Sequence, residues 1–451
     1  MVRPPATLGT LMTSPVAPDA PVAPARDVPR VIWAWALYDW ANSAFTTLVV
    51  TFIYSTYFTK AMAPDEVTGT AWWSRAVAVS ALLTAVLSPF LGAAADRAGA
   101  RKRFLAVTTA LCILATTVLA FIPPTLPNAA LLALAVYVIG DWAFETGYTF
   151  YNAFLPVIAS PAKLGRVSGY GWGLGYVGGL VCMGIALVGF VQPEVPWFGL
   201  SKEHGFNVRA TNLLVAGWYL AFCLPLFFFV PERKAASVRL DARGTFRELG
   251  QTIRTLGRYR QVVKFLVARL IFNDGLVTVF AFGGIYAAGT FGMTLSDVIV
   301  FGVVLNVASG AGAVAFGFLD DKIGGKKTIL LTLVALAIAT GMAVWAPTRT
   351  WLWVAGVLIG LFVGPNQSAS RSLMSRFVPE KHQAEFFGFF QFSGKVTSFM
   401  GPILLGIATT AFASQRAGVA TVLLFFLVGG LLLAMVDERA GMAAARAEGA
   451  A

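Results

Sequence analysis

Charge is what this sequence has least of: Asp, Glu, Lys and Arg make up 12% of its 451 residues, against about a quarter in a soluble domain. Histidine is almost missing. His204 and His382, both in expected loops, leave no material for a zinc site or an imidazole base. The three cysteines, Cys112, Cys182 and Cys223, stand in apolar segments without CxxC spacing; they read as small core residues, not as a disulfide framework or metal centre. No GxxxxGK[ST] stretch occurs, so there is no phosphate-cradling loop for ATP and any energy source is expected to be a gradient.

What is abundant is apolar sequence: hydrophobic residues make up 57% and mean hydropathy is +0.73. Apolar runs long enough to cross a hydrocarbon core of about 30 Å fall near 31–59, 72–95, 104–122, 129–155, 166–191 and 212–230. They resume near 261–288, 296–319, 328–346, 351–375, 385–409 and 416–436. This gives twelve spans in two sets of six. Residues 1–29 form a Pro/Ala-rich tail expected to be disordered, 30–231 a first six-helix half, 232–260 a basic linker, 261–437 a second half and 438–451 a terminal tail. Arg243, Arg247, Arg254 and Arg258 in the linker recur at helical spacing, as expected of an amphipathic helix lying on anionic lipid.

The net charge of +12 bears on topology more than on nucleic acid, which is not an expected partner. With the N-terminus inside, 25 of the 34 Lys and Arg residues fall on the inner side and six on the outer. The positive-inside rule therefore places both termini in the cytoplasm.

Two turns share a template. Gly92, Asp96, Arg97, Gly99, Arg101 and Lys102 match Gly317, Asp321, Lys322, Gly324, Lys326 and Lys327 at a constant offset. At that offset Arg103 faces Thr328 and Asp320 faces Ala95, which makes the first turn the more basic. Each turn follows the second span of its half. Two six-helix halves with this turn resemble the major facilitator superfamily of secondary transporters. The run AlaLeuTyrAspTrpAlaAsnSerAlaPhe at 36–45 further resembles the autophagy-linked vacuolar amino-acid effluxer family and its bacterial homologues.

The resemblance implies an all-α integral membrane protein with two pseudo-symmetric halves, the major facilitator fold, and a cavity lined by the first, fourth, seventh and tenth helices. It implies transport of small solutes, amino acids or similar zwitterions, by alternating access, without an enzymatic step. A drug:proton antiporter is the competing reading, and a receptor or intramembrane enzyme a remote one. The expected setting is the bacterial inner membrane, with a small-molecule substrate, anionic lipids at the cytoplasmic face, no cofactor, proton coupling as an option, and a monomer. The resemblance also implies that Asp96 and Asp321 each engage a helix end of the opposite half and gate the cytoplasmic side. A helix N-terminus offers free amides and a positive dipole end for such a contact.

Ionisable groups inside spans are costly and mark function by default. On the first helix Asp39 and Asn42 share a face; on the fourth, Asp141, Glu145, Tyr148 and Asn152 form a stripe. The seventh carries Asn273 and Asp274, the tenth Asn366, Gln367 and Arg371, the eleventh Gln391 and Lys395. Arg371 or Lys395 is expected to bind a substrate carboxylate, with Asp39, Glu145 or Asp274 taking an ammonium; structural pairing among these groups is the alternative. Two carboxylates one turn apart at 141 and 145 suggest a group that exchanges a proton. Arg269 is expected to snorkel to the cytoplasm. Gly171, Gly175 and Gly179 form a small-residue seam, expected to meet the eighth helix.

Overall fold

The computed structural model describes residues 26–232, 244–245, 250 and 256–449. Most of the 1–29 tail and of the 232–260 linker, including Arg243, Arg247 and Arg254, lies outside the described residues. The first half comprises α1 (Pro29–Ala44), α2 (Glu66–Ala98), α3 (Arg101–Ala120), α4 (Ala129–Ala153), α5 (Leu164–Ala186) and α6 (Thr211–Phe229). The second comprises α7 (Arg260–Phe291), α8 (Leu295–Ile323), α9 (Gly325–Val344), α10 (Arg349–Phe377), α11 (Gln383–Lys395, resuming at Met400–Ala411) and α12 (Gln415–Ala434). Where a terminal tail was expected, a further helix α13 (Glu438–Gly449) packs against α7 and α10.

Among the described residues ten helices are continuous, long and apolar enough to cross a membrane. The other two spans, α1 and α11, are interrupted. Beyond Ala44 the first span widens into turns over Phe45–Phe52 and Phe58–Met62, where Ile53 and Ala63 N–H reach back five residues to Leu48 and Phe58. The eleventh is interrupted at residues 396–399. Hydropathy sees neither break, because each lies within a longer run that is apolar on average.

Local chemistry sets the ends. Pro29 opens α1, where its missing N–H costs nothing. Asp65 caps α2 by accepting from Thr68 N–H at 2.9 Å, and Thr294 with Asp297 forms a reciprocal capping box on α8. Gly99 ends α2 at φ 57°, a left-handed conformation that favours glycine.

The halves meet along two symmetric seams, α2 against α11 and α5 against α8. Glycine sets both. A Cβ at Gly92 would collide with Ala384 O, and one at Gly388 would lie 2.5 Å from Ser88 O; one at Gly317 would lie 2.9 Å from Arg166 Cα. The expected glycine seam on α5 faces a different neighbour. Gly171, Gly175 and Gly179 abut Asp39, Ser43 and Thr47 of the first span, whereas Gly165, Gly169 and Gly173 receive α8 at Gly317, Ala313 and Val314. Counting by four along a glycine-rich helix finds two seams and does not say which partner each takes.

The two charged turns also differ in register. Glu232 Oε1 accepts from Lys102 N–H at 2.7 Å, and Glu438 accepts from Gly325 and Lys326 N–H at 3.0 and 3.1 Å. Lys102 Nζ donates to Val230 O, and Lys326 Nζ to Ala434 O. Lys102 therefore corresponds to Lys326 and not to Lys327, and Arg101 corresponds to Gly325. The constant offset fails after the glycine because Gly324, at φ 92°, both ends α8 and starts α9, whereas Gly99 and Ala100 share those tasks in the first half. By the same shift Arg103 matches Lys327, and both are exposed. The expected surplus of positive charge in the first turn comes down to Arg101.

Candidate functional site

A cavity of about 260 Å³ lies between the halves, lined from α1, α4, α5, α7, α10 and α11. Ten of the thirteen candidate residues line it: Asn42, Glu145, Tyr148, Asn152, Asn273, Asn366, Gln367, Arg371, Gln391 and Lys395. Asp39, Asp141 and Asp274 are buried but outside the lining.

Asp39 instead anchors the floor. Its Oδ1 accepts from Tyr148 Oη at 2.6 Å, and its Oδ2 from Tyr151 Oη at 2.8 Å and Arg371 Nη1 at 3.0 Å. Arg371 spends its donors on protein: Nε on Ser168 Oγ, Nη2 on Ser168 O, Nη1 also on Asn152 Oδ1. Its guanidinium lies 4.8 Å over the Trp35 ring and 5.6 Å from Trp172. The pair joins α1 to α10, hence one half to the other, and Gly171 leaves the room for it, since a Cβ there would overlap Asp39 Oδ2. The rest of the 36–45 run binds its own half together. Tyr38 Oη meets Thr109 of α3 and Tyr219 of α6, and Trp40 O accepts from Trp218.

A second ion pair crosses the cavity. Lys395 Nζ donates to Glu145 Oε1 at 2.7 Å, while Gln391 Nε2 reaches Glu145 Oε2 at 3.2 Å and its backbone O at 3.1 Å. Asp141 sits one turn earlier on α4. Asp274 holds a single side-chain bond, from Thr397 at 3.3 Å beside the α11 break, and its Oδ2 has no partner among the described residues.

Sequence reasoning misplaced Arg269. It does not snorkel: it is 9% exposed, stacks at 3.6 Å on the Phe390 ring, donates to Phe390 O at 2.7 Å and Ser393 Oγ at 2.9 Å, and lines the cavity. A position early in a helix suggested the membrane edge, but α7 begins at Arg260, so Arg269 stands more than two turns in. Tyr151 and Ser168 were also missed, because nothing in the sequence distinguishes them from packing residues.

At the end bearing the charged turns the two halves are bonded to each other. Asp96 Oδ2 accepts from Glu385 N–H at 2.9 Å at the start of α11. Arg101 bridges Asp96 to Gln383 and to Glu380 O. In the other seam Asp321 accepts from Gly165 N–H at 2.8 Å at the start of α5 and pairs with Arg166. Asp320 turns inward to Arg376 at 2.7 Å. Lys322 and Lys327 are exposed, and Arg97 lies against Gly244. Ahead of α1, Asp27 accepts from Ser160 N–H and pairs with Lys163 at 3.4 Å; burial pushes its carboxyl up, but these partners outweigh it and hold the group below its usual range. Away from the turns a smaller cavity of about 110 Å³, lined by Thr47, Phe52, Tyr176, Leu180 and Asn306 among others, continues from the shared residues Ser43, Thr46 and Trp172.

Two six-helix halves around a central polar cavity, bridged by ion pairs and bonded to each other at the charged turns, define a major facilitator superfamily transporter, a multi-pass membrane protein. Solved structures share the fold over nearly the whole chain. A human organic anion transporter, MFSD10, superposes with TM-score 0.70 at 15% identity, covering 90% of this chain and all of that one. The proton:xylose symporter XylE gives 0.68 at 14% identity, covering 90% and 94%, and a bacterial ferroportin homologue in an outward-facing state gives 0.66 at 11% identity, covering 90% and 98%.

Within that class the chain belongs to the family described as vacuole effluxer Atg22 like, whose model matches residues 62–446. It is a family of transporters, not of enzymes. The Bacillus subtilis MFS-type transporter YxiO, itself uncharacterized, is 29% identical over 90% of this chain and 94% of its own length. Autophagy-related protein 22-1 of Penicillium rubens is 23% identical over 63% of this chain, which spans about half of that longer protein.

Proposed function

We propose that this chain moves amino acids or similar small zwitterions across the bacterial inner membrane by alternating access, with both termini and both charged turns cytoplasmic. In that orientation the described conformation is closed to the cytoplasm, and the route past Thr47 and Tyr176 leads outward. The single observation that carries the reading is the interdomain cavity whose lining presents Glu145 against Lys395, with Arg269 and Arg371 alongside. A zwitterion brings one charge of each sign, and such a lining offers a counterpart for each. A lining with three cations and one carboxylate weighs against cationic drugs as cargo. Asp39–Arg371 and Glu145–Lys395 are cross-half pairs that separate when the halves rock.

The test is uptake into proteoliposomes by a panel of amino acids, with and without a pH gradient. Saturable uptake of at least one amino acid is expected, lost in Lys395→Ala. Uptake confined to hydrophobic cations and driven by the proton gradient would instead establish a drug antiporter.

A further inference from the structure

At the α7–α11 side the side chains that line the cavity carry more positive than negative charge. Arg269 and Lys395 both face it, and the lining supplies them one carboxylate, Glu145. That carboxylate is taken: Lys395 holds Oε1 at 2.7 Å and Gln391 approaches Oε2 at 3.2 Å. Asp141, buried on α4 outside the lining, acts on Lys395 and not on Arg269, and Asp39 is committed to Arg371 and two tyrosines. Arg371, the residue that sequence marks out for an anion, has both its nitrogen edges occupied.

Arg269 differs. Only its Nη1 is bonded to protein among the described residues, to Phe390 O and Ser393 Oγ, both neutral acceptors. The ring of Phe390 at 3.6 Å fixes the plane of the guanidinium, and Gly394, where a Cβ would lie 2.8 Å from Nη1, leaves it space. A guanidinium held flat on an aromatic ring, with a free edge in a cavity and no protein carboxylate of its own, is prepared for a planar, bidentate anion. Asn273, one turn on along the same face of α7, adds a polar neighbour in the lining.

We infer that Arg269 is the carboxylate anchor of the transport site, and that the solute itself supplies the negative charge the lining lacks. The inference rests on the transport reading and narrows it. The cargo carries a carboxylate that bonds to Arg269, and Lys395 serves to hold Glu145 across the halves instead of binding the acid. An ammonium on the cargo is then read by the neutral polar groups that α4 and α10 present in the lining.

The experiment is proteoliposome uptake and binding with three probe sets: amino acids, their carboxamides, and the matching 2-oxo acids. Wild type is expected to take the amino acids and to reject the carboxamides. Losing a charge-assisted pair weakens binding by about 10- to 100-fold, so Arg269→Gln is expected to raise KM for amino acids by that factor and to erase the discrimination against carboxamides. Arg269→Lys keeps the charge but loses the planar fork and the stacking; it is expected to raise KM with kcat little changed. Elution and thermal unfolding of both variants establish that they fold. A folded Arg269→Gln variant that still prefers amino acids over carboxamides as strongly as wild type overturns the anchor while leaving transport standing. Uptake of carboxamides alone by wild type does the same. Uptake of no probe by wild type sinks both this inference and the transport reading.

Discussion

At position 39 a carboxylate 1% exposed accepts two tyrosine hydroxyls and one guanidinium, and its worth lies in that completeness. Taking both charges out of water costs several kcal/mol each, so the pair stands near balance as a unit, whereas removing one partner strands the other at about 3–5 kcal/mol. Asp39→Asn and Arg371→Gln are each expected to lower stability by about that much, and the double change by clearly less than the sum. A double-mutant cycle on thermal unfolding in detergent checks this, and a coupling under about 1 kcal/mol would contradict it. Sequence made Asp39 and Arg371 visible as charges where charge is costly, but not that they meet, since 332 positions separate them. Arg269 was misjudged for the converse reason: its surroundings, Phe390 and Ser393, come from another helix.

Elements explain the cross-half bonds at the charged turns. Each charged turn sets an Asp against the first amides of a helix in the other half, where unpaired N–H groups and the positive dipole end favour an anion, and Gly92 and Gly317 bring the backbones close enough. Their cations differ in origin. Asp96 is paired from its own half by Arg101, whereas Asp321 is paired from the opposite half by Arg166. Charge-assisted bonds contribute about 1.5–3 kcal/mol, so Asp96→Asn and Asp321→Asn should each expose the cavity about ten-fold more to the turn side, with Asp321→Asn the stronger. Thiol labelling of Ser370→Cys, a cavity residue, reads this cleanly because the three native cysteines are buried. Unchanged labelling in both variants removes the latch role. The repeat was legible because glycine and aspartate are required at fixed places; the one-residue slip after Gly324 was not, since both registers align basic residues and the helix starts and the bonds to the end of each half tell them apart.

At the scale of the molecule, length and hydropathy were enough for twelve spans and two halves, because a chain in lipid must satisfy its backbone within each span. What they missed are the interruptions at Ile53 and at 396–399 and the terminal helix α13. These depend on packing and on capping partners and not on apolarity. The pairing of α2 with α11 and α5 with α8 joins the halves through close backbone contacts at glycine and through bonds from Asp96 and Asp321.

Glu232 and Glu438 have a further consequence. Each acid stands just past the last span of its half and is bonded to the first amides of that half's own third helix. Each half is thus fastened at its exit to its own middle, like a belt buckled on itself, and does not rely on the covalent thread between Glu232 and Tyr259 for its closure. Two separately translated polypeptides, divided within 233–255, should therefore co-assemble into one particle that co-purifies on a tag carried by either piece and retains uptake. Glu232→Gln in the first piece should lower the yield of that assembly more than it lowers the yield of the undivided chain, because the cap then works without a tether behind it.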